Sequence, residues 1–142
     1  MDIKQLAGLP SPFYRVAVKV LILDEQGRLL VTQNVEGEWE IPGGGWEHDE
    51  SLELSVEREM AEELGAKVHD ITDVEFVLRG VSSRGWHVIR LAVRAVLDTD
   101  SPLQPGDDQV AYRYVTPEEF LQLKFCGADE VFQTATDKIW ID

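Results

Sequence analysis

A glycine-rich loop that leads into an acidic amphipathic helix constrains this chain more than any other feature. Three consecutive glycines end at Gly45, and a helix is predicted from Ser51 to Leu64, with Gly65 as its stop signal. Apolar residues recur along one face of this helix at helical spacing, which indicates that the face is buried. They are Leu52, Val56, Met60 and Leu64.

Three glutamates share one side of the same helix. Glu62 and Glu63 lie three and four residues after Glu59, and residues at these spacings are neighbours on a helix surface. This acidic side borders the apolar stripe, so its carboxylates are partly withdrawn from water. At about 6 Å and an effective dielectric of about 20, each like-charged pair costs ~3 kcal/mol. A cation among the oxygens offsets this repulsion, and clustered hard oxygen ligands favour Mg²⁺ or Mn²⁺.

A plainly solvated helix face is the alternative interpretation of these glutamates. Glu-rich helices are common, and Arg58 with Glu62 forms an ordinary i,i+4 ion pair. The preceding glycine loop and the contact between the acidic and apolar faces favour a functional site instead.

Composition and charge narrow the classes of function. The chain has 142 residues, 44% of them hydrophobic and 28% charged, which is typical of one soluble domain with its own core. The net charge of −14 argues against duplex nucleic acid as a partner, because such binding depends on Lys and Arg. No stretch approaches the ~18 apolar residues of a membrane span, and Met1 to Lys4 lacks the pattern of a signal peptide. With a single cysteine, Cys126, we therefore expect a cytoplasmic protein that does not bind membranes.

The rest of the chain alternates between strand-like and helical patterns. A turn at 24–27 predicts that the second strand returns as the hairpin partner of the first, and the glycines before the acidic helix are expected to form a loop. Thr116 and Pro117 predict the start of a further helix, as N-cap and first-turn residue. Strands are predicted at 15–23, 28–33, 38–41, 73–81, 86–97 and 111–115, a loop at 98–108, and a closing helix at 129–140.

The order Gly44, Glu50, Arg58-Glu59, Glu62-Glu63 and Gly65 resembles the Nudix box, the signature of the Nudix hydrolases. Each glycine and charged position of the signature is filled at the expected spacing between Gly44 and Ala66. Only Ala66 departs from it, since the family usually has a larger aliphatic residue there. The resemblance implies an α/β fold, the Nudix-type α/β/α sandwich with a mixed β-sheet, formed by residues 1–142 as one domain.

The resemblance also implies an activity. Nudix hydrolases use divalent metal, here Mg²⁺ or else Mn²⁺, to split the diphosphate linkage of a nucleoside diphosphate derivative by water attack at phosphorus. The partner would be a small nucleotide, and a homodimer is left open. The markers of ADP-ribose, dinucleoside polyphosphate and NADH hydrolases are missing after the box, which favours a nucleoside triphosphate or an unassigned substrate.

Two other functions compatible with the fold are weighed against hydrolysis. The first is a catalytically inactive Nudix domain that senses a nucleotide or docks a partner, against which all three box glutamates are retained. The second is a prenyl diphosphate isomerase, which needs an active-site cysteine, whereas Cys126 has no matching context.

The resemblance assigns roles to individual residues of the box. Glu59, Glu62 and Glu63 are the expected metal ligands, and Asp108, or its neighbour Asp107, would complete the metal shell. An ordinary turn at these two aspartates is the competing interpretation. The catalytic residues are expected to be Glu50, Arg58, Glu59, Glu62 and Glu63, with Arg58 orienting the carboxylates and Glu50 acting as a base or an additional ligand.

Substrate contacts are predicted outside the helix. The main chain of Gly43 and Gly44 can approach a phosphate closely because neither residue has a Cβ. Arg15 and Lys19 share a strand face and could hold phosphate oxygens, although long cationic side chains often only cover a sheet. Trp39 or Trp86 could stack on a base, or could belong to the core.

Overall fold

A computed structural model describes residues 14–98, 100 and 102–141 of the chain. Residues 1–4, on which the absence of a signal peptide was argued, lie outside this part. The described strands, in chain order, are β1 (Tyr14–Leu21), β2 (Leu29–Asn34), β3 (Trp39–Glu40), β4 (Gly43–Gly45), β5 (Val68–His69), β6 (Phe76–Val81), β7 (His87–Arg94), β8 (Val96–Leu97) and β9 (Gln109–Val115). The helices are α1 (Leu52–Leu64), α2 (Pro117–Gln122), a 3-10 helix (Glu130–Thr134) and α3 (Thr136–Ile139).

A four-stranded mixed sheet lies at the centre, in the order β4-β1-β7-β6. Strands β1 and β7 are parallel over their whole length, whereas β4 and β6 pair antiparallel with their neighbours. A second, antiparallel sheet has the order β3-β2-β9, and β5 pairs with β8. The predicted mixed sheet is therefore confirmed.

Apolar side chains pack on both faces of the central sheet. On one face, Val56 and Met60 of α1 pack against Val18 and Val20 of β1. On the other face, Leu21 belongs to a second cluster with residues of the C-terminal helices, including Phe120, Phe132 and Ile139. The sheet thus lies between helical layers, which confirms the α/β/α sandwich. Because the second half of β1 is covered on both faces, Lys19 is buried together with its neighbours on either side.

Helix α1 begins and ends where the sequence predicts. The Ser51 hydroxyl accepts a hydrogen bond from the Leu54 N–H at 3.1 Å, and Gly65 takes the left-handed conformation with φ 59°. Helix α2 has the predicted N-cap at Thr116, with a reciprocal contact to Glu119. None of the helices within the described residues has the length and apolar character needed to cross a membrane.

The predicted hairpin between the first two strands forms only next to its turn and does not continue along β1. The turn itself forms, with the Gly27 N–H donating to the Asp24 carbonyl at 3.0 Å. Beyond it, β1 and β2 separate after a single bridge between Leu23 and Leu29. Both edges of β1 are already paired, with β4 and β7, so β2 joins β3 and β9 instead.

Two further expectations need correction. The glycines after Pro42 form strand β4 instead of a loop, because Gly43, at φ 130°, approaches the Val18 carbonyl so closely that a Cβ would lie 2.1 Å from its oxygen. The closing helix is broken into the 3-10 helix and the one-turn α3. Asp129, which precedes that segment, does not cap it; its side chain accepts a hydrogen bond from the Ile41 N–H at 2.9 Å instead.

Candidate active site

A pocket of about 660 Å³ opens between the C-terminal half of α1, the end of the β3-β2-β9 sheet and the loop before β9. Carboxylates outnumber all other side chains in its lining. The lining residues are Asn34, Val35, Glu36, Glu40, Glu59, Glu62, Glu63, Asp107, Asp108 and Gln109. The structure therefore brings all four residues predicted as metal ligands to one pocket.

Glu59 lies at the wall of this pocket, against Gly44. The residue is buried, with 8% of its surface exposed, and burial raises the pKa of its carboxyl group. A Cβ on Gly44 would lie 2.6 Å from Oε1 of Glu59, so only glycine allows the carboxylate this position. The Arg58 Nη1 donates to the same oxygen at 2.9 Å.

Glu63 is held by the main chain of the glycine strand. Its Oε2 accepts a hydrogen bond from the Gly43 N–H at 3.0 Å. Removal from water raises the pKa of Glu63 to about 8, although the charge of Lys19 and the Gly43 hydrogen bond act in the opposite direction. Without a cation, this carboxyl group is thus largely protonated at neutral pH.

Arg58 connects the two ends of the site. Its Nη2 and Nε donate to Oε1 and Oε2 of Glu50 at 2.7 and 3.0 Å, and its Nη1 also reaches Glu62 at 3.3 Å. The two hydrogen bonds from Arg58 to Glu50, with one from the Glu47 N–H, lower the pKa of Glu50 to about 2. Glu50 does not line the pocket, and both its oxygens are engaged. Its contacts therefore favour a role in holding Arg58 over that of a base.

The other acidic residues that were predicted for the site lie at the rim of the pocket. The Glu62 side chain is 60% exposed, and Asp107 and Asp108 are also exposed. Gly106 places these two aspartates: its N–H donates to the Glu63 carbonyl at 2.7 Å, and a Cβ would lie 2.1 Å from the Glu62 carbonyl oxygen. This packing satisfies a carbonyl at the end of α1 and keeps the loop beside the pocket.

The two cations predicted to hold phosphate lie elsewhere. Lys19 is buried, and its Nζ lies 3.0 Å from both the Ile41 carbonyl oxygen and Oδ2 of Asp129. Arg15 is exposed, and neither side chain lines the pocket. Internal partners thus compete with substrate for Lys19.

Tryptophan and cysteine contribute little to the pocket. Trp39 is half-buried below the Arg113 guanidinium, and neither it nor Trp86 is among the lining residues. Burial raises the pKa of the Cys126 thiol to about 12, which leaves it unreactive and argues against the isomerase alternative.

Five lining residues escaped the sequence analysis, and three of them form a hydrogen-bonded group. Glu40 accepts hydrogen bonds from the side-chain amides of Asn34, at 3.1 Å, and Gln109, at 3.4 Å. Glu40 could have been found from its place in the strand that leads into the glycines. Asn34 and Gln109 carry no local signal, because they meet only through the pairing of β2 with β9.

The donor chemistry of the pocket fits a divalent cation, but the side chains do not enclose one as they stand. Among the residues that the structure describes, no group of three or more His, Cys, Asp or Glu side chains lies close enough together to hold a metal ion. Glu59 and Glu63 instead use oxygens for Arg58 and the Gly43 N–H. Hard carboxylate oxygens with raised pKa values are nevertheless the donors that Mg²⁺ and Mn²⁺ prefer.

Known proteins share the sequence pattern and the fold of this chain. The profile of the NUDIX domain matches residues 13–134. An RNA pyrophosphohydrolase of Saccharophagus degradans is 35% identical, over 78% of this chain and 63% of its own length, so the chain spans less than two thirds of that relative. A MutT-like protein of Streptomyces ambofaciens is 31% identical, over 76% of the chain and 68% of its own length. The crystal structure of a MutT protein from Methanosarcina mazei has a similar fold, with a TM-score of 0.75 at 24% identity, over 93% of this chain and 96% of that one.

Proposed function

The chain belongs to the Nudix family, and from this premise we propose that it is a divalent-metal-dependent pyrophosphohydrolase. Its substrate is a nucleoside diphosphate derivative, whose diphosphate linkage is split by water. The observation that carries the proposal is the convergence of Glu59, Glu62 and Glu63 on one pocket beside the glycine strand. We propose that the family domain extends over the whole chain and that the protein is cytoplasmic.

We assign the metal to the acidic wall of the pocket. Glu59, Glu62 and Glu63 would hold Mg²⁺, or Mn²⁺, with Asp108 approaching from the rim. When bound, the metal polarises a bridging phosphate and lowers the pKa of the attacking water. Charge balance supports this assignment, because the carboxylates that line the pocket would repel a phosphate ester unless cations were bound among them.

The residues of the chain itself orient and bind the reacting groups. Arg58 holds Glu59 by a charge-assisted hydrogen bond, and the Gly43 N–H holds Glu63. The missing Cβ of Gly44 gives the Glu59 carboxylate its room. Phosphate binding by the main chain of Gly43 and Gly44 stays a prediction, since neither residue lines the pocket. The water oxygen bonds to phosphorus and gives its proton to a base. The bridging P–O bond breaks and its electron pair leaves with the departing phosphate, so no covalent enzyme intermediate is needed. The identity of the base stays a prediction. Glu50 is a weak candidate for the base, because Arg58 engages both of its carboxylate oxygens.

We propose a triphosphate as substrate. The relatives named RNA pyrophosphohydrolase suggest one form of it, an RNA end that carries a diphosphate linkage. The family markers missing after the box favour the other form, a free nucleoside triphosphate. The acidic pocket and the net charge of −14 disfavour a long duplex in either case. The sequence prediction that Arg15 and Lys19 hold phosphate is retained for Arg15, whose side chain is exposed.

Replacement of Glu63 tests the proposal most directly. We expect Glu63→Gln to keep its circular dichroism spectrum and to lose Mg²⁺-dependent hydrolysis by more than about 100-fold, because loss of groups that only support metal ligands already costs about 10–100-fold. The screen should contain nucleoside triphosphates, short triphosphorylated RNA, nucleotide sugars and dinucleotides, with Mg²⁺ and Mn²⁺. Glu57→Gln is the matched control, since Glu57 lies exposed on the same helix and does not line the pocket. Full activity of Glu63→Gln would refute the assignment.

A nucleotide-sensing domain without catalysis is the second candidate. It is favoured by one observation, that no three carboxylates of the described residues enclose a metal as they stand. Calorimetric titration decides between the two functions. Nucleotide binding that needs no divalent metal, together with no turnover across the whole screen, would establish the sensor.

A further inference from the structure

A buried cluster of three charges lies behind the candidate active site and belongs to none of the roles assigned above. Asp129 is fully buried, with its Oδ2 3.0 Å from the Lys19 Nζ and its Oδ1 accepting from the Arg90 Nε at 3.0 Å. The Lys19 and Arg90 side chains are only 6% and 12% exposed. We call Lys19, Arg90 and Asp129 the buried charge cluster.

The cluster binds both main-chain groups of Ile41. The Ile41 N–H donates to Oδ2 of Asp129 at 2.9 Å, and the Ile41 carbonyl accepts from the Lys19 Nζ at 3.0 Å. Ile41 belongs to no strand, so these contacts replace the ladder that would otherwise fix its backbone. Asp129 therefore ties the C-terminal segment to a residue 88 positions earlier.

Ile41 is joined to the candidate active site by two covalent steps. The next residue, Pro42, offers its carbonyl to the Val20 N–H at 2.8 Å, and the residue after it is Gly43. The Gly43 N–H donates to Oε2 of Glu63 at 3.0 Å. A displacement of Ile41 is thus passed to this donor along a short, tightly held segment, because the proline restricts the backbone.

The charge of the cluster also suits this place. Two cations and one carboxylate leave one positive charge unbalanced, in the interior behind a wall of glutamates. Buried ion pairs contribute little to stability, since desolvation offsets their attraction, so their retention calls for another reason. Here that reason is geometric, because each member holds another group in place.

We propose that Asp129 is a positioning residue for the active site. Together with Lys19 and Arg90 it fixes Ile41, and through Pro42 it sets the Gly43 N–H that binds Glu63. In this arrangement Lys19 acts inside the protein and does not bind substrate phosphate. The kinetic part of the inference rests on the proposed hydrolase function, whereas its structural part does not.

Amide exchange in the metal-free protein tests the structural part. In Asp129→Asn we expect the Gly43 N–H to exchange at least about tenfold faster than in the wild type, while the Met60 N–H inside α1 keeps its rate. Glu130→Gln is the matched control, since it removes a neighbouring charge that is exposed. Equal acceleration at Gly43 and Met60 would mean that Asp129 only stabilises the fold, and an unchanged Gly43 rate would overturn the proposal outright.

Steady-state kinetics with Lys19→Met test the catalytic part. We expect kcat to fall about 10–100-fold at saturating Mg²⁺, the cost typical of groups that orient ligands, with KM within about threefold of the wild type. A raised KM at unchanged kcat would overturn the proposal and make Lys19 a substrate ligand. If Asp129→Asn does not fold, Lys19→Met and Arg90→Gln take its place in the exchange experiment. If the wild type hydrolyses nothing, the proposed function fails, while amide exchange still decides the positioning.

Discussion

The two ends of helix α1 hold their carboxylates in opposite ways. At the N-terminal end, Glu50 accepts two hydrogen bonds from Arg58, which lower the pKa of Glu50 to about 2. At the pocket, the Gly43 N–H is the one hydrogen-bond donor to the Glu63 side chain among the described residues, and burial raises the pKa of Glu63 to about 8. Glu50 therefore has its counterion in direct contact, whereas Lys19, the cation whose charge acts on Glu63, is paired with Asp129.

This difference separates a carboxylate that supports the structure from the carboxylates that we assign to the active site. Glu50 and Arg58 neutralise each other, so they form a rigid support that needs no ligand. For Glu59 and Glu63, burial outweighs the charges of Arg58 and Lys19 and raises the pKa of each carboxyl group. Both face a pocket large enough to admit a metal and phosphate groups. Groups whose environments push their pKa values apart are typical of active sites, and here the contrast supports the proposed cation site in the pocket.

The largest effect that we expect would sharpen this comparison. The two carboxylates should make the folding stability of the protein depend on pH in opposite directions. Between about pH 4.5 and 8, folded metal-free protein keeps a proton on Glu63 that the unfolded chain releases, so stability falls as pH rises through this window. The loss should be on the order of 2–4 kcal/mol. For Glu50 the sign is reversed, since its stabilisation is present above about pH 4.5 and is lost as pH falls toward 2.

Denaturant unfolding with a chelator measures both limbs. Glu63→Gln should lose most of the decline between pH 4.5 and 8, and Glu50→Gln should lose only the acid limb. Added Mg²⁺ should restore the stability of the wild type above pH 7 but not that of Glu63→Gln. A flat profile of the metal-free wild type across pH 4.5–8 would contradict the contrast between the two carboxylates.

A smaller effect is expected from Gly44→Ala, which acts on the pocket end alone. The added Cβ would meet Oε1 of Glu59, the end of a flexible side chain, at 2.6 Å. The side chain can turn away, so the melting temperature should change little while Mg²⁺-dependent kcat falls about 10–100-fold, as when a ligand loses its orientation. Gly45→Ala is the control, because no atom of the described residues lies within 4 Å of its added Cβ. Equal activity of the two variants would show that the position of Glu59 is unimportant.

The same contrast explains which parts of the molecule the sequence predicts. Helix α1 was predicted to its ends because its signals are local: an apolar stripe that begins at Leu52 and a glycine stop at Gly65. The acidic wall follows from the helix, since spacing alone places Glu59, Glu62 and Glu63 together. The loop aspartates were predicted from the family resemblance, and Gly106 supplies the close approach that places them.

What could not be predicted depends on contacts between distant residues. Lys19 was expected to hold phosphate because the alternation of β1 says nothing about layers on both of its faces. Its partner Asp129 was placed at the start of a regular closing helix, yet its carboxylate points inward to Ile41 and leaves that segment without a cap. Pairing of β2 with β9 likewise determines the contacts of Glu40, which no local spacing encodes.

The smallest effect is expected from Arg58→Lys, because Arg58 contacts both Glu50 and Glu59. A lysine keeps the charge but has one ammonium group, so it cannot contact Glu50 through two nitrogens and still reach Glu59. We expect kcat to fall about tenfold, equivalent to ~1.4 kcal/mol, with KM unchanged. Arg28→Lys, at a pair with Asp24 outside the pocket, should leave both constants as they are. A raised KM with normal kcat would mean that Arg58 contacts the substrate, and the N-terminal end of α1 would then belong to the binding surface and not to its support.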